Sequence, residues 1–320
     1  MTIARYRHAL PQLDGRPFIT DGGIETTLIF HDGLELPDFA AFDLLRRPGG
    51  EAALRKYFRS YADIARRFET GLILESATWR ASADWGVRLG LDADELADLN
   101  RRAIRLLDEI RSECESDATR VVISGCVGPR GDGYNPGLTM PAVEAEDYHR
   151  VQIDTFAGTA ADMVTAITMN YTNEAIGIAR AARRAGMPVA LSFTVETDGR
   201  LPTGQPLPDA IAQVDDATSD YPAYYMINCA HPSHFERVLL GSAPSIERIR
   251  GLRANASVKS HAELNESREL DMGDPVALGA QHAQLKRQLP HLNVLGGCCG
   301  TDHRHVARIA EACLPFFPGA

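Results

Sequence analysis

The chain has 320 residues, 44% of them hydrophobic, enough to bury a large core as one α/β domain or as two smaller ones. Its formal charge of −10 and pI near 5.5 exclude nucleic acid as a principal partner, because phosphate binding needs a basic surface, and they favour a small-molecule substrate. The first eight residues form no apolar signal core, and no apolar stretch approaches the ~18 residues of a membrane span, so a cytoplasmic protein without a membrane partner is expected.

In chain order, β-rich apolar runs fall at 18–23, 71–78, 120–125, 163–169, 188–195, 223–229, 252–256 and 292–297. Segments of helical period lie between and after them, at 51–68, 94–114, 143–160, 174–185, 208–217, 233–240, 275–289 and 303–314. Asn173 is placed to cap the fourth expected unit's helix, and Asp302 to cap the last one. Eight alternating units with no long linker predict a single-domain (β/α)8 TIM barrel over residues 1–320. The competing architecture, an open parallel sheet, needs a dinucleotide fingerprint after the first strand, and Asp21, Gly22 and Gly23 begin no such pattern.

A barrel builds its active site from the C-terminal ends of its strands. Asp21 follows the first run, Thr78 and Trp79 end the second, Cys126 the third, Cys229 the sixth, Asn255 lies in the seventh, and Cys298 with Cys299 follows the eighth. Six cysteines are too few for a disulfide scaffold in a chain this long, and in a reducing compartment they point to metal binding or catalysis. Cys229, Cys298 and Cys299 read as three thiolate ligands for Zn²⁺, with a fourth position open to a substrate thiol. Gly296, Gly297 and Gly300 permit the bent backbone that aims two adjacent cysteines at one ion. Buried apolar thiols, or a vicinal disulfide between Cys298 and Cys299, are the alternatives. His303 and His305 sit in the first turn of a helix, where capping or solvent exposure is the simpler role.

These residues carry a resemblance. Asp21-Gly22-Gly23, Gly125-Cys126-Val127-Gly128-Pro129, Asn228-Cys229 and Gly297-Cys298-Cys299-Gly300-Thr301 together resemble the homocysteine S-methyltransferase family, across nearly the whole chain. The resemblance implies a (β/α)8 barrel, catalytic zinc on Cys229, Cys298 and Cys299, and a role for Asp21 and the nearby backbone of Gly22 and Gly23 in holding the amino group of homocysteine. The alternative role for Asp21 is to satisfy backbone amides of its own turn. The stretch 165–170 departs from the family pattern, lacking the glutamate many members carry at the end of the fourth strand. Glu75, or another group, would replace it, or the acceptor is not homocysteine.

A free alkyl thiol is only about 3% ionised at pH 7, a handicap that metal coordination removes. The expected reaction moves a methyl group from a small donor to the homocysteine thiol, giving methionine. S-methylmethionine leads among donors, with S-adenosylmethionine or a betaine behind it, because one barrel fills the chain and leaves no room for folate or cobalamin modules. A separate corrinoid protein is the remaining partner expected. Glu75, Thr78, Trp79 and Asn228 are placed at the substrate site, with Trp85, Tyr134 and Tyr171 as further aromatic walls for a cation. The competing functions are a zinc barrel hydrolase and a non-catalytic zinc- or thiol-binding protein.

Overall fold

Each apolar run becomes a strand buried on both faces, which is why the runs show no simple alternation of polar and apolar residues. The strands are β1 (Phe18–Ile19), β2 (Gly71–Glu75), β3 (Val121–Val127), β4 (Met163–Met169), β5 (Val189–Phe193), β6 (Tyr224–Asn228), β7 (Ile249–Ala254) and β8 (Val294–Gly297). They pair in parallel, in sequence order, and close into a barrel as β8 returns to β1. The helices are α1 (Gly50–Phe68), α2 (Ala83–Arg88), α3 (Ala93–Cys114), α4 (Ala142–Ala157), α5 (Thr172–Arg184), α6 (Leu207–Thr218), α7 (Pro232–Leu239), α8 (His261–Glu266), α9 (Pro275–Gln288) and α10 (His303–Cys313). This is the expected (β/α)8 barrel. The computed structural model describes residues 4–267 and 269–318; the outer limits of the expected 1–320 domain lie outside the described residues. Among the described residues no helix is long and apolar enough to cross a membrane.

Local chemistry sets the helix ends. Asp92 and Glu95 form a reciprocal cap at the start of α3, each carboxylate accepting from the other's backbone N–H, at 2.9 and 3.0 Å. Asp302 caps α10 as expected, accepting from the Arg304 backbone N–H at 2.8 Å. Asn173 does not cap: Tyr171 is extended at φ −152°, so α5 begins at Thr172 and Asn173 lies inside its first turn.

Other boundaries differ from expectation for tertiary reasons. β1 stops at Ile19 rather than residue 23, because Gly22 and Gly23 turn against the loop after β8; a Cβ on Gly23 would lie 2.7 Å from the Cys298 carbonyl oxygen. β7 spans Ile249–Ala254 rather than 252–256. Among the short elements that join the expected set are α2, α8 and a π-helical segment, Thr26–His31. All three lie in connections that follow strands, on the side of the barrel where the site is expected.

The barrel interior is layered. The lower layer holds Phe18, Ile73, Val122, Met163, Tyr224 and Met226, with Leu10 of the N-terminal segment packed against it. Two residues further along the same strands, the inward positions become polar: Glu75, Ser124, Thr165 and Asn228, joined by Ser192 and Arg253. Ser124 and Thr165 hydroxyls meet at 2.7 Å, and Ser192 donates to Asn228 Oδ1 at 2.6 Å. A second, much larger apolar core fills the space between the strands and the helices.

Candidate active site

Three thiols converge at the top of β6 and β8. Cys229 follows Asn228 at the end of β6 in a left-handed conformation, φ +55°, and its N–H donates to the Arg253 carbonyl at 3.2 Å. Cys298 extends the β7–β8 ladder by one bond, its N–H donating to the Ala254 carbonyl at 2.8 Å, after which the chain turns through Cys299 and Gly300, φ +77°. The turn resolves the problem of adjacent cysteines, since Cys299 lies outside the strand and escapes its alternation.

The three Sγ atoms lie within 4.8 Å of one another. Cys229 and Cys298 meet as a disulfide, with Cα atoms 5.4 Å apart, rather than the vicinal pair Cys298 and Cys299; Cys299 Sγ is 3.9 Å from Cys229 Sγ. A tetrahedral ion with metal–sulfur bonds of ~2.3 Å separates its sulfurs by about 3.8 Å, so the reduced cluster has metal-holding spacing. Burial pushes the Cys299 thiol above its ordinary value, against the pull of the Tyr134 hydroxyl 3.4 Å away. A thiol so placed ionises with a cation beside it, which fits a metal. His261 is no ligand in this arrangement: its Nε2 donates to the Cys229 carbonyl at 2.6 Å while its ring stacks on Tyr134 at 4.1 Å. His305 is buried with Nε2 on the Met272 carbonyl at 2.8 Å, and His303 is exposed.

Asn228 fastens the cluster to β4. Its Oδ1 accepts from the Thr168 N–H and its Nδ2 donates to Thr168 Oγ1, both at 2.9 Å. Thr168 is itself left-handed, φ +66°, a strained conformation for a β-branched residue. Two strained residues joined by one amide mark this edge of the barrel as a built site.

Beside the thiols lies a buried charged group. Arg253 of β7 donates through Nη2 to Asp21 Oδ1 and through Nε to the Gly297 carbonyl, while the Tyr57 hydroxyl reaches Asp21 Oδ2 at 2.9 Å. Arg253 Nη1 stands 3.9 Å from Glu75 Oε1 and has no hydrogen-bond partner; neither has Glu75 Oε2. Burial pushes Glu75 up to about 7, although Arg253 pulls the other way, and burial likewise raises Asp21 against Arg253 and Tyr57.

A cavity of about 390 Å³ opens over these groups. Asp21, Gly22, Gly23, Glu75, Trp79 and the three cysteines line it. Thr78 and Asn228 stand behind its wall, Thr78 donating to the Cys126 carbonyl at 2.7 Å. Of the aromatic walls, Trp79 and Tyr134 face the cavity, whereas Trp85 and Tyr171 stand off it. The Arg80 guanidinium lies 4.0 Å from the Trp79 ring and 3.8 Å from the Trp85 ring, so part of the aromatic surface already carries a cation. Among the described residues six acids, Asp21, Glu25, Glu75, Asp132, Glu269 and Asp271, line the cavity against two arginines, Arg80 and Arg253. The sequence reading passed over Arg253, Tyr57 and His261. Arg253 carried a signal nonetheless, as a charged residue inside an apolar run.

Comparison with known proteins agrees with this geometry. The family model for homocysteine S-methyltransferase matches residues 18–313. Methionine synthase of Mycobacterium tuberculosis is 27% identical over 95% of this chain and 25% of its own length; that of Mycobacterium leprae is 26% identical over 82% and 21%. The chain thus spans about a quarter of the curated relatives it matches. The homocysteine methyltransferase MmuM from Escherichia coli superposes in its oxidized form with a TM-score of 0.75 at 18% identity, covering 96% of this chain and 99% of that one. Its metallated form superposes with a TM-score of 0.73 at 18% identity, covering 94% and 98%. The fold is shared throughout, and by the family match the chain belongs to the homocysteine S-methyltransferase family.

Proposed function

We propose that the chain transfers a methyl group from a small cationic donor to the thiol of homocysteine, giving methionine, at a zinc ion held by Cys229, Cys298 and Cys299. The observation that carries this reading is the convergence of three sulfurs within 4.8 Å on the wall of one cavity. Zinc bound there supplies a positive charge that keeps a substrate thiol ionised at neutral pH. An all-thiol ligand set favours this chemistry over hydrolysis, because three thiolates leave the ion a weak Lewis acid toward water.

The protein's own residues bring the partners together. Asp21, with the backbone of Gly22 and Gly23, borders the acceptor, while Thr78 and Asn228 hold the wall behind it. Trp79, Tyr134, Phe30 and Phe39 give the cavity apolar faces that exclude water. The excess of acids among its described lining residues draws in a sulfonium or quaternary ammonium donor, with S-methylmethionine first among them. The thiolate sulfur forms a bond to the methyl carbon as the donor's own bond to that carbon breaks, and the electron pair stays on the donor heteroatom, which becomes neutral. Position and thiol ionisation suffice, since no proton moves in the transition state. A corrinoid protein presenting the methyl group at the same mouth is the alternative donor.

Mass spectrometry of reduced, zinc-loaded protein with homocysteine and, separately, S-methylmethionine, S-adenosylmethionine, glycine betaine and dimethylsulfoniopropionate tests the proposal. Methionine from one donor, lost on chelation, is expected. Stoichiometric zinc without methionine from any of them, or from a methylated corrinoid, sinks it.

A further inference from the structure

We propose that Arg253 and Glu75 bind the α-amino acid end of the acceptor, Arg253 taking its carboxylate and Glu75 its ammonium; the identity of the acceptor rests on the homocysteine reading above. Both side chains line the cavity, and both residues are almost completely buried, at 5% and 3% exposure. Each keeps one unpartnered polar atom, a donor on Arg253 Nη1 and an acceptor on Glu75 Oε2. Buried donors and acceptors in folded proteins are nearly always paired, so an orphan of each kind on neighbouring side chains marks a place for a ligand carrying the complementary two. An amino acid zwitterion is such a ligand.

The neighbouring groups support this division of roles. Asp21 is engaged at both oxygens, by Arg253 and by Tyr57, so Glu75 is the acid with an oxygen to spare beside Arg253. The end of β4 offers Ile167 and Thr168 to the cavity and no charge. Arg253 also sits between the thiols: its carbonyl accepts from the Cys229 N–H, and its Nε donates to the carbonyl of Gly297, the residue before Cys298. An amino acid head held there leaves the two methylenes of homocysteine to carry the sulfur toward the cysteine cluster.

Calorimetric titration of the reduced, zinc-loaded chain separates the two contacts. The ligands are homocysteine, 4-mercaptobutanoate, which lacks the ammonium, and 3-aminopropane-1-thiol, which lacks the carboxylate. Wild-type protein is expected to bind homocysteine at least about tenfold more tightly than either truncated thiol, as befits a buried charge-assisted contact. In Arg253→Gln the advantage over 3-aminopropane-1-thiol disappears while that over 4-mercaptobutanoate remains; Glu75→Gln shows the reverse, and Arg253→Lys keeps part of the carboxylate advantage. Should a variant fail to fold, the wild-type series decides alone. Equal wild-type binding of homocysteine and 3-aminopropane-1-thiol, no binding of homocysteine, or an Arg253→Gln protein with its carboxylate advantage intact overturns the proposal. Methionine formation is scored separately: product without these gaps sinks the clamp and spares methyl transfer, and gaps without product do the opposite.

Discussion

In the layer of Ile73 and Val122 the barrel interior is filled by apolar side chains such as Phe18, Met163 and Met226; two residues further along the strands it holds Glu75, Ser124, Thr165 and Asn228. Both layers are buried, and both hang on the same backbone ladder. The lower layer removes apolar surface from water and stabilises the fold at roughly 1.5–3 kcal/mol for each large side chain. The upper layer buries charges and orphan polar atoms, which is unfavourable unless a ligand completes them. Stability and chemistry are thus separated by one step of the strand period, and mutations should divide along that line.

The largest effect is expected from Cys298→Ala. Loss of one of the three proposed thiol ligands should abolish stoichiometric zinc and lower the proposed methyl transfer by at least about 1,000-fold, with the thermal midpoint of the metal-free protein little changed. Metal analysis beside a melting curve checks this, and full activity without the Cys298 thiol would refute the zinc mechanism. Phe18→Ala addresses the lower layer and should cost about 3–5 kcal/mol in denaturant unfolding while folded molecules still bind zinc. If it instead removed zinc from folded protein, the two layers would not be separable.

A smaller, pH-dependent effect belongs to Glu75. Its folded value of about 7 lies above the ordinary glutamate value, so below pH 7 the carboxyl is neutral and pairs poorly with an ammonium. Acceptor affinity should therefore rise as pH passes upward through about 7, and Glu75→Gln should flatten that component by up to about tenfold. By the same sign, the raised values of Glu75 and Glu25, both about 7, stabilise the empty fold at acid pH, a contribution lost as pH climbs through 7. The smallest effect is Asp302→Ala, which removes the cap of α10; its side-chain partners, Arg304 and His305, do not line the cavity. It should cost about 1 kcal/mol of stability and leave zinc content and acceptor affinity unchanged. Asp302 is held below its ordinary value despite burial by His305 and Arg304, so its contribution is present at neutral pH and fades only as pH falls into the acid range.

Much of this organisation was legible in the sequence. The eight strands stood out because burial on both faces makes each a dense apolar run, and Cys298 with Cys299 stood out because glycines flank two adjacent thiols. The layering was not legible, since the inward alternation from Ile73 to Glu75 or Val122 to Ser124 is masked by outward residues that are also apolar. Arg253 was absorbed into the run 252–256 because its partners, Asp21 and Glu75, are 232 and 178 positions away and only barrel closure brings them near. The short helices α2 and α8 escaped because six residues show too little helical period to register.

Cys229 bears a further consequence. At φ +55° it occupies a position that backbone sterics would assign to glycine. A glycine there would relax the chain and delete a sulfur, so natural variation at this position pits local conformational ease against reactivity. Relatives that had given up catalysis would be free to drift toward glycine or asparagine at this site, which makes the identity of one residue a compact diagnostic for sorting active from inactive versions of the barrel.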